Sequence, residues 1–329
     1  MKATKPGTAA PRPTSGERPA ATPPKFFTLI PANPGIDFVK QAPMMTMVSV
    51  VFILVGLVSV WWRGLNYGID FEGGTMVQVR FEKTTAIGDV RDALDAAGLR
   101  GISVQDVGSE GHEFQIRAQG EEGDETAGEV TANTIKDGLA KKFGEGTYET
   151  LRIETVGPKV GKALWRDAGL AVLVATIMMG IYIAFRFDLR FGIGAAVALA
   201  HDVLFTIGAL SLANMEIDLT TVAALLTIVG FSVNDTVIIS DRIRENMRLM
   251  RKDDLRTIVN TSINETLSRT IITNTTAVLV VAALFLFGGD VIHSFAFALL
   301  VGFIAGTYST IYIASPLVLF MERGRAKAA

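Results

Sequence analysis

Within an apolar run that begins near Leu219, the chain places Ser232, Asn234, Asp235 and Thr236 well before the charges at Asp241, Arg242 and Arg244. A carboxylate in hydrocarbon costs roughly 2.5–3.5 kcal/mol on insertion scales, so it persists where it faces protein or a wet path. Asp235 is therefore the first candidate for chemistry, and a lone intramembrane acid is suited to taking up and releasing protons. Arg269 opens a later apolar run, with Thr273 and Thr276 at i+4 and i+7 on the same helix face. A guanidinium keeps its proton, so Arg269 can bias an acid without being a carrier. At about 4 Å and an effective dielectric near 20, such a pair attracts by about 4 kcal/mol, which is comparable to the burial cost. Hydration or a small separation would then load or unload Asp235, with Ser232, Asn234, Thr273 and Thr276 lining or supporting the path. The alternative is an ion pair that only locks two helices together.

His201 and Asp202 sit in the middle of another apolar run. Adjacent helical residues point about 100° apart, so the pair cannot face a single partner. One joins the polar path while the other bonds a neighbouring backbone, or the two make an interhelical bond with no transport role. Glu216 and Asp218 read as solvated loop acids. GIDFEGG at residues 68–74 reads as a turn into a strand, its acids in solvent. The G-x-x-x-G at residues 302–306 speaks only for close helix packing.

No P-loop, dinucleotide fingerprint, zinc spacing or nucleic-acid patch occurs. With no cysteine there are no disulfides, thiolate metal sites or cysteine nucleophile. Neither a metal nor a cofactor is expected, and nucleic acid is not an expected partner.

The elements that must position these residues follow from composition. Of 329 residues 49% are hydrophobic and 19% charged, and the charge is segregated. Six apolar runs, at residues 44–62, 168–185, 192–213, 219–240, 270–288 and 291–320, reach about the 18–20 residues a helix needs to span a bilayer. The last is long enough to tilt or to bend before Pro316. Basic residues cluster in the N-terminal tail, at Arg186 and Arg190, between Arg242 and Arg256, and at Arg323, Arg325 and Lys327, which fall on one side of six alternating helices. The opposite connections, residues 214–218 and 288–290, carry no Lys or Arg. The positive-inside rule places both termini in the cytoplasm.

Residues 1–43 read as a basic Pro/Ala-rich disordered tail, with a short interfacial piece at 26–40. Residues 63–164 form an exterior domain; 18 Asp and Glu against 12 Lys and Arg at 63–162 give it a net of −6. Its pattern is strand, helix, strand, strand, helix, strand, at 75–81, 84–97, 102–107, 112–117, 129–143 and 148–156, the order of a ferredoxin-like domain. Residues 165–321 hold helices two to six, with an amphipathic interfacial segment at 243–265. Residues 322–329 are a short tail. The fold class is thus a polytopic helical membrane protein with one inserted α+β domain outside the membrane, which the resemblance given next implies to be periplasmic.

Several stretches together resemble the SecF family: GIDFEGG at 68–74, GPKVG at 157–161, His201-Asp202, TVAALLTIVGFSVNDTVIISDRIREN at 221–246, NETLSRT at 264–270 and GTYSTIYIASP at 306–316. The resemblance runs in order from residue 35 to 320. Phe231, where many relatives carry Tyr, is a mild departure. The resemblance implies the smaller subunit of a SecD–SecF export complex, related to the RND transporters and lying in a bacterial inner membrane. It further implies association with the SecY–SecE–SecG channel, contact with the translocating preprotein, and use of the proton motive force. The family's proton site implies that role for Asp235 and Arg269, with an acid from SecD. It implies no enzymatic activity. One rival is an RND-type efflux subunit. Another is an intramembrane aspartyl protease using Asp202 and Asp235, which lacks the G-x-G-D signature and whose shared-proton state an arginine beside one acid would oppose.

Overall fold

The computed structural model describes residues 34–99, 102–107, 111–118 and 127–328. The basic tail at 1–24 and residues 26–33 of the expected interfacial piece lie outside the described residues. The chain then runs α1 (Phe38–Arg63), β1 (Asn66–Tyr67), α2 (Ile69–Glu72), β2 (Gly74–Phe81), α3 (Ile87–Ala96), β3 (Ser103–Asp106), β4 (Glu113–Ala118), α4 (Ala127–Phe143) and β5 (Tyr148–Val156). There follow α5 (Pro158–Arg186), α6 (Leu189–Leu212), β6 (Glu216–Ile217), α7 (Leu219–Leu249), α8 (Leu255–Phe287), α9 (His293–Ser309), a π-helical stretch (Thr310–Ala314) and α10 (Ser315–Ala328).

Six helices are long and apolar enough to cross a membrane: α1, α5, α6, α7, α8, and α9 continued to Met321. They sort into two shells. The most apolar windows of α6, α7 and the α9 span are 61%, 56% and 61% buried within the chain, whereas those of α1, α5 and α8 are 17% buried. The inner three hold the buried acids Asp202 and Asp235, and the outer three present more surface, aliphatic along α1 and α5. Two glycines bring α1 close against α6: a Cβ on Gly56 would stand 2.6 Å from the Cα of Gly208, and Ser59 and Ser211 share a buried hydrogen bond of 3.0 Å one turn on. Pro316 has no N–H to close the turn ahead of it. The helix widens there into the π stretch, and the carbonyl of Tyr312 accepts instead from the Thr46 hydroxyl of α1 at 3.0 Å.

Several spans extend beyond their apolar runs, because the flanking residues keep helical spacing until a cap or a breaker intervenes. Asp37 caps α1 six residues ahead of the expected start, accepting from the Lys40 amide at 2.9 Å. The segment 243–265 is not a separate interfacial helix. α7 continues to Leu249, a turn follows, and Asp254 caps α8, accepting from Thr257. Ile258, Val259, Ile263 and Leu267 pack into the core, and Asn246 joins Ser262 at 3.0 Å and Glu265 at 2.8 Å. The expected tail at 322–329 begins as a continuation of α10.

The inserted domain has an antiparallel sheet in the order β3-β4-β2-β5. α3 joins β2 to β3, α4 joins β4 to β5, and each crossover skips a strand, as in a split β-α-β arrangement. One sheet face buries Val77, Val79, Phe81, Phe114 and Ile116 against Val90, Leu94, Ile135 and Leu139.

The domain is seated on the helix ends by the GIDFEGG segment, which is not a solvated turn. Ile69 and Phe71 are buried, and Asp70 accepts from the Leu219 amide at the start of α7 at 2.9 Å. Gly73 has φ +76, and a Cβ there would stand 2.7 Å from the Pro158 backbone at the start of α5; only glycine meets both demands without strain. β1 pairs in parallel with β6, Asn66 opposite Glu216. The two expected loop acids are therefore structural: Glu216 lies in a strand and pairs with Arg117 of β4, and Asp218 caps α7, accepting from the Thr221 amide at 2.7 Å.

Candidate functional site

On α7 the residues Ser232, Asp235, Thr236, Ile239 and Ile243 recur at helical spacing and face inward. Asp235 is 3% exposed. Its carboxylate accepts from the amide of Asn274 on α8 at 2.5 Å, and the same amide reaches the Thr307 hydroxyl of α9 at 2.6 Å. Asn274 thus ties three helices at one acid. Its Oδ1 is buried with no hydrogen-bond partner.

A second polar knot lies one turn away. Asp202 of α6 is fully buried and accepts from Ser232 of α7 at 2.6 Å and Ser309 of α9 at 2.9 Å. Its other oxygen meets His201 Nδ1 at 3.0 Å. His201 and Asp202 therefore bond each other; long side chains span the 100° between adjacent positions that Cβ directions alone would separate. His201 Nε2 is buried without a partner, beside the ring of Tyr308 at 6.2 Å. Small residues allow this density: a Cβ on Gly306 would approach Ser232 Cβ to 3.0 Å, and Thr236 and Thr310 share a bond of 3.1 Å. The two acids are joined through α7, where Ser232 and Asp235 stand three residues apart, and through α9, where Ser309 bonds Asp202 and Thr307 bonds Asn274. No hydrogen bond links the two carboxylates among the described residues, each having its own partners.

The remaining expected site residues lie elsewhere. Arg269, Thr273 and Thr276 do share one face of α8, but that face is exposed, as is Asn234 on α7. Among the described residues Arg269 forms no salt bridge with Asp235. The inward face of α8 is instead Thr270, Asn274 and Val281. Asn274 was legible as an amide in an apolar run; the stripe beginning at Arg269 masked it, because α8 carries polar residues on two faces.

Residues 135–324 match the family described as protein export membrane protein SecD/SecF, C-terminal, and residues 63–85 match the SecD/SecF GG motif. The chain is 47% identical over 288 residues to the protein translocase subunit SecF of Magnetococcus marinus, covering 88% of this chain and 92% of that one. It is 44% identical over 294 residues to the same subunit of Vibrio alginolyticus, covering 89% and 92%. Among solved structures it resembles SecDF from Thermus thermophilus, a translocon-associated membrane protein, at TM-score 0.78 and 37% identity, covering 89% of this chain and 39% of that one. A second SecDF structure, in a super-membrane-facing form, gives TM-score 0.66 and covers 92% and 40%.

Proposed function

The chain belongs to the SecF family of protein-export membrane proteins, and on that premise we propose that protons moving through Asp235 power its contribution to export. A carboxyl that is 3% exposed on an inner helix carries this reading. An acid there is costly to keep unless it works. Asn274 suits a group that changes charge. Its amide nitrogen serves the ionised carboxylate, and its free Oδ1 offers an acceptor to the protonated one after rotation of the amide.

The outward stripe Arg269, Thr273 and Thr276, with Asn234 beside it, is the face we assign to SecD. Polar residues on an outer membrane helix are costly against lipid and are satisfied by a second polypeptide. Arg269 would there balance Asp235 against an acid of the partner. The complex would sit in a bacterial inner membrane with both termini cytoplasmic and serve the SecY–SecE–SecG channel. The inserted domain would meet the emerging preprotein without covalent chemistry. Each charge crossing supplies about 2.3 kcal/mol per 100 mV, so a few protons suffice to move a docked domain.

Proteoliposomes holding this chain with SecD test the reading. Asp235→Asn is expected to abolish proton flux and the voltage-dependent part of export. Flux persisting at the unsubstituted rate would exclude Asp235 as the carrier.

A further inference from the structure

We propose that Arg117 and Glu216 are positioning residues that form a releasable latch, through which the inserted domain follows the movement of α7. The inference rests on the proton-driven reading of Asp235, to which it adds a route outward.

Glu216 stands immediately ahead of α7. Its carbonyl accepts from Thr221 Oγ1 at 3.2 Å, and Asp218, two residues on, caps the same helix. Any shift of α7 along its axis therefore carries Glu216 with it. Asp235 lies sixteen residues beyond Leu219, the first residue of α7, about 24 Å at the helical rise, so a rigid helix connects the acid in the membrane to the ion pair outside it. Arg117 belongs to β4, an inner strand of the domain sheet paired on both edges. The latch thus joins the most firmly held part of the domain to the helix bearing the acid.

Three features mark the contact as built for release rather than for permanent adhesion. The side chains are 12% and 23% exposed, so the cost of desolvating both charges offsets much of their attraction. Arg117 Nε is buried without a partner, so the guanidinium uses only part of its fork. The seam beside the pair is not packed shut: a cavity of about 120 Å³ opens between Met76, Gln78 and Gln115 of the sheet and Asp70, Glu216 and Asp218 below it. Gly68 completes the seat, since a Cβ there would stand 2.7 Å from Glu216 Oε1.

Titration of Glu216 adds to the geometry. The groups facing it are Arg117 from β4, Asp70 from α2 and Asp218 from the start of α7, with Arg152 and Glu154 of β5 across the cavity. Burial pushes its carboxyl above the ordinary carboxylate range, Arg117 opposes this, and Asp218 and Asp70 add to it. Closure is thereby linked to the acidity of the outer compartment.

The chain has no cysteine, which permits a direct test in proteoliposomes with SecD. In the double variant Arg117→Cys, Glu216→Cys, a short reducible bis-thiosulfonate holds the latch closed. Voltage-dependent export is expected to fall by about tenfold or more when linked and to recover on reduction. Equal export by the linked and reduced chains would make the contact static and overturn the latch. Should the double-cysteine chain be inactive before linkage, the charge exchange Arg117→Glu, Glu216→Arg decides. Export above both single variants supports the latch, and export no better than theirs overturns it. Proton flux measured alongside separates the two readings. Flux surviving Asp235→Asn removes the premise, whereas loss of flux there with full export by the linked chain removes the latch alone.

Discussion

Asn274 of α8 donates to the Asp235 carboxylate of α7 at 2.5 Å, while Arg269, five residues earlier on α8, is exposed and forms no salt bridge with it. The acid is thus held inside the chain by a neutral amide, and the cation lies on the surface open to a partner. An ion pair inside one subunit would lock α7 to α8; a neutral amide makes that contact instead.

Replacing Asn274 with Leu removes the donor and leaves the carboxylate buried. Such a loss costs about 1–3 kcal/mol. Thermal unfolding of the detergent-solubilised chain should show that destabilisation, and proton flux should fall with it. Asn274→Leu with unchanged flux would rule out the amide as the companion of the acid.

The outward stripe should behave differently. Thr273→Val and Thr276→Val break no inward contact and are expected to alter the chain's own stability by less than about 0.5 kcal/mol. Co-purification with SecD should nonetheless weaken, most of all in Thr273→Val, Thr276→Val combined. Undiminished co-purification would assign the stripe to lipid.

Asp202→Leu strands Ser232 and His201 at once and leaves Ser309 only its bond to the Gly306 carbonyl. With each unsatisfied buried polar group costing about 1–3 kcal/mol, the inner shell should lose cooperative unfolding. Asp202→Asn keeps an acceptor oxygen and should cost less. Calorimetry in detergent orders the two variants, and the reverse order would contradict the donor assignments.

Gly56→Leu places a side chain where even a Cβ meets the Gly208 backbone. α1 must move off α6, breaking the Ser59–Ser211 bond, at an expected cost of about 1–3 kcal/mol. Protease sensitivity of the connection after α1 reports the displacement.

Acidity should act on the latch through Glu216. In the closed state its carboxyl is held above the ordinary value of 4.5, chiefly by burial. Release returns it to that value. The closed state therefore binds the proton more tightly, so closure is favoured by acid and weakens as pH rises through the raised value, above which the ionised carboxylate is held by Arg117 alone. A spin-label distance between the domain and α5 should shorten on acidification of the outer face. Glu216→Gln, which mimics the protonated form, should flatten that response.

The sequence alone was enough for the parts that depend on local periodicity. Apolar runs long enough to span gave six helices, and alternation within the charged block gave β2 through β5 with α3 and α4 in order. The cost of a carboxylate in hydrocarbon singled out Asp235 without any knowledge of its neighbours. Which way α8 is turned was undetermined, because Arg269 and Thr273 on one side and Thr270 and Asn274 on the other are both polar stripes of correct spacing. Packing against α7 and α9 selected the second, since an uncharged amide can be buried against Asp235 and Thr307 at less desolvation cost than a guanidinium. The role of Glu216 was equally hidden: its partner lies 99 residues earlier in another domain, and no spacing rule reaches across a chain reversal. Local propensity decides what a segment is, and only the assembled tertiary contacts decide which of its faces is used.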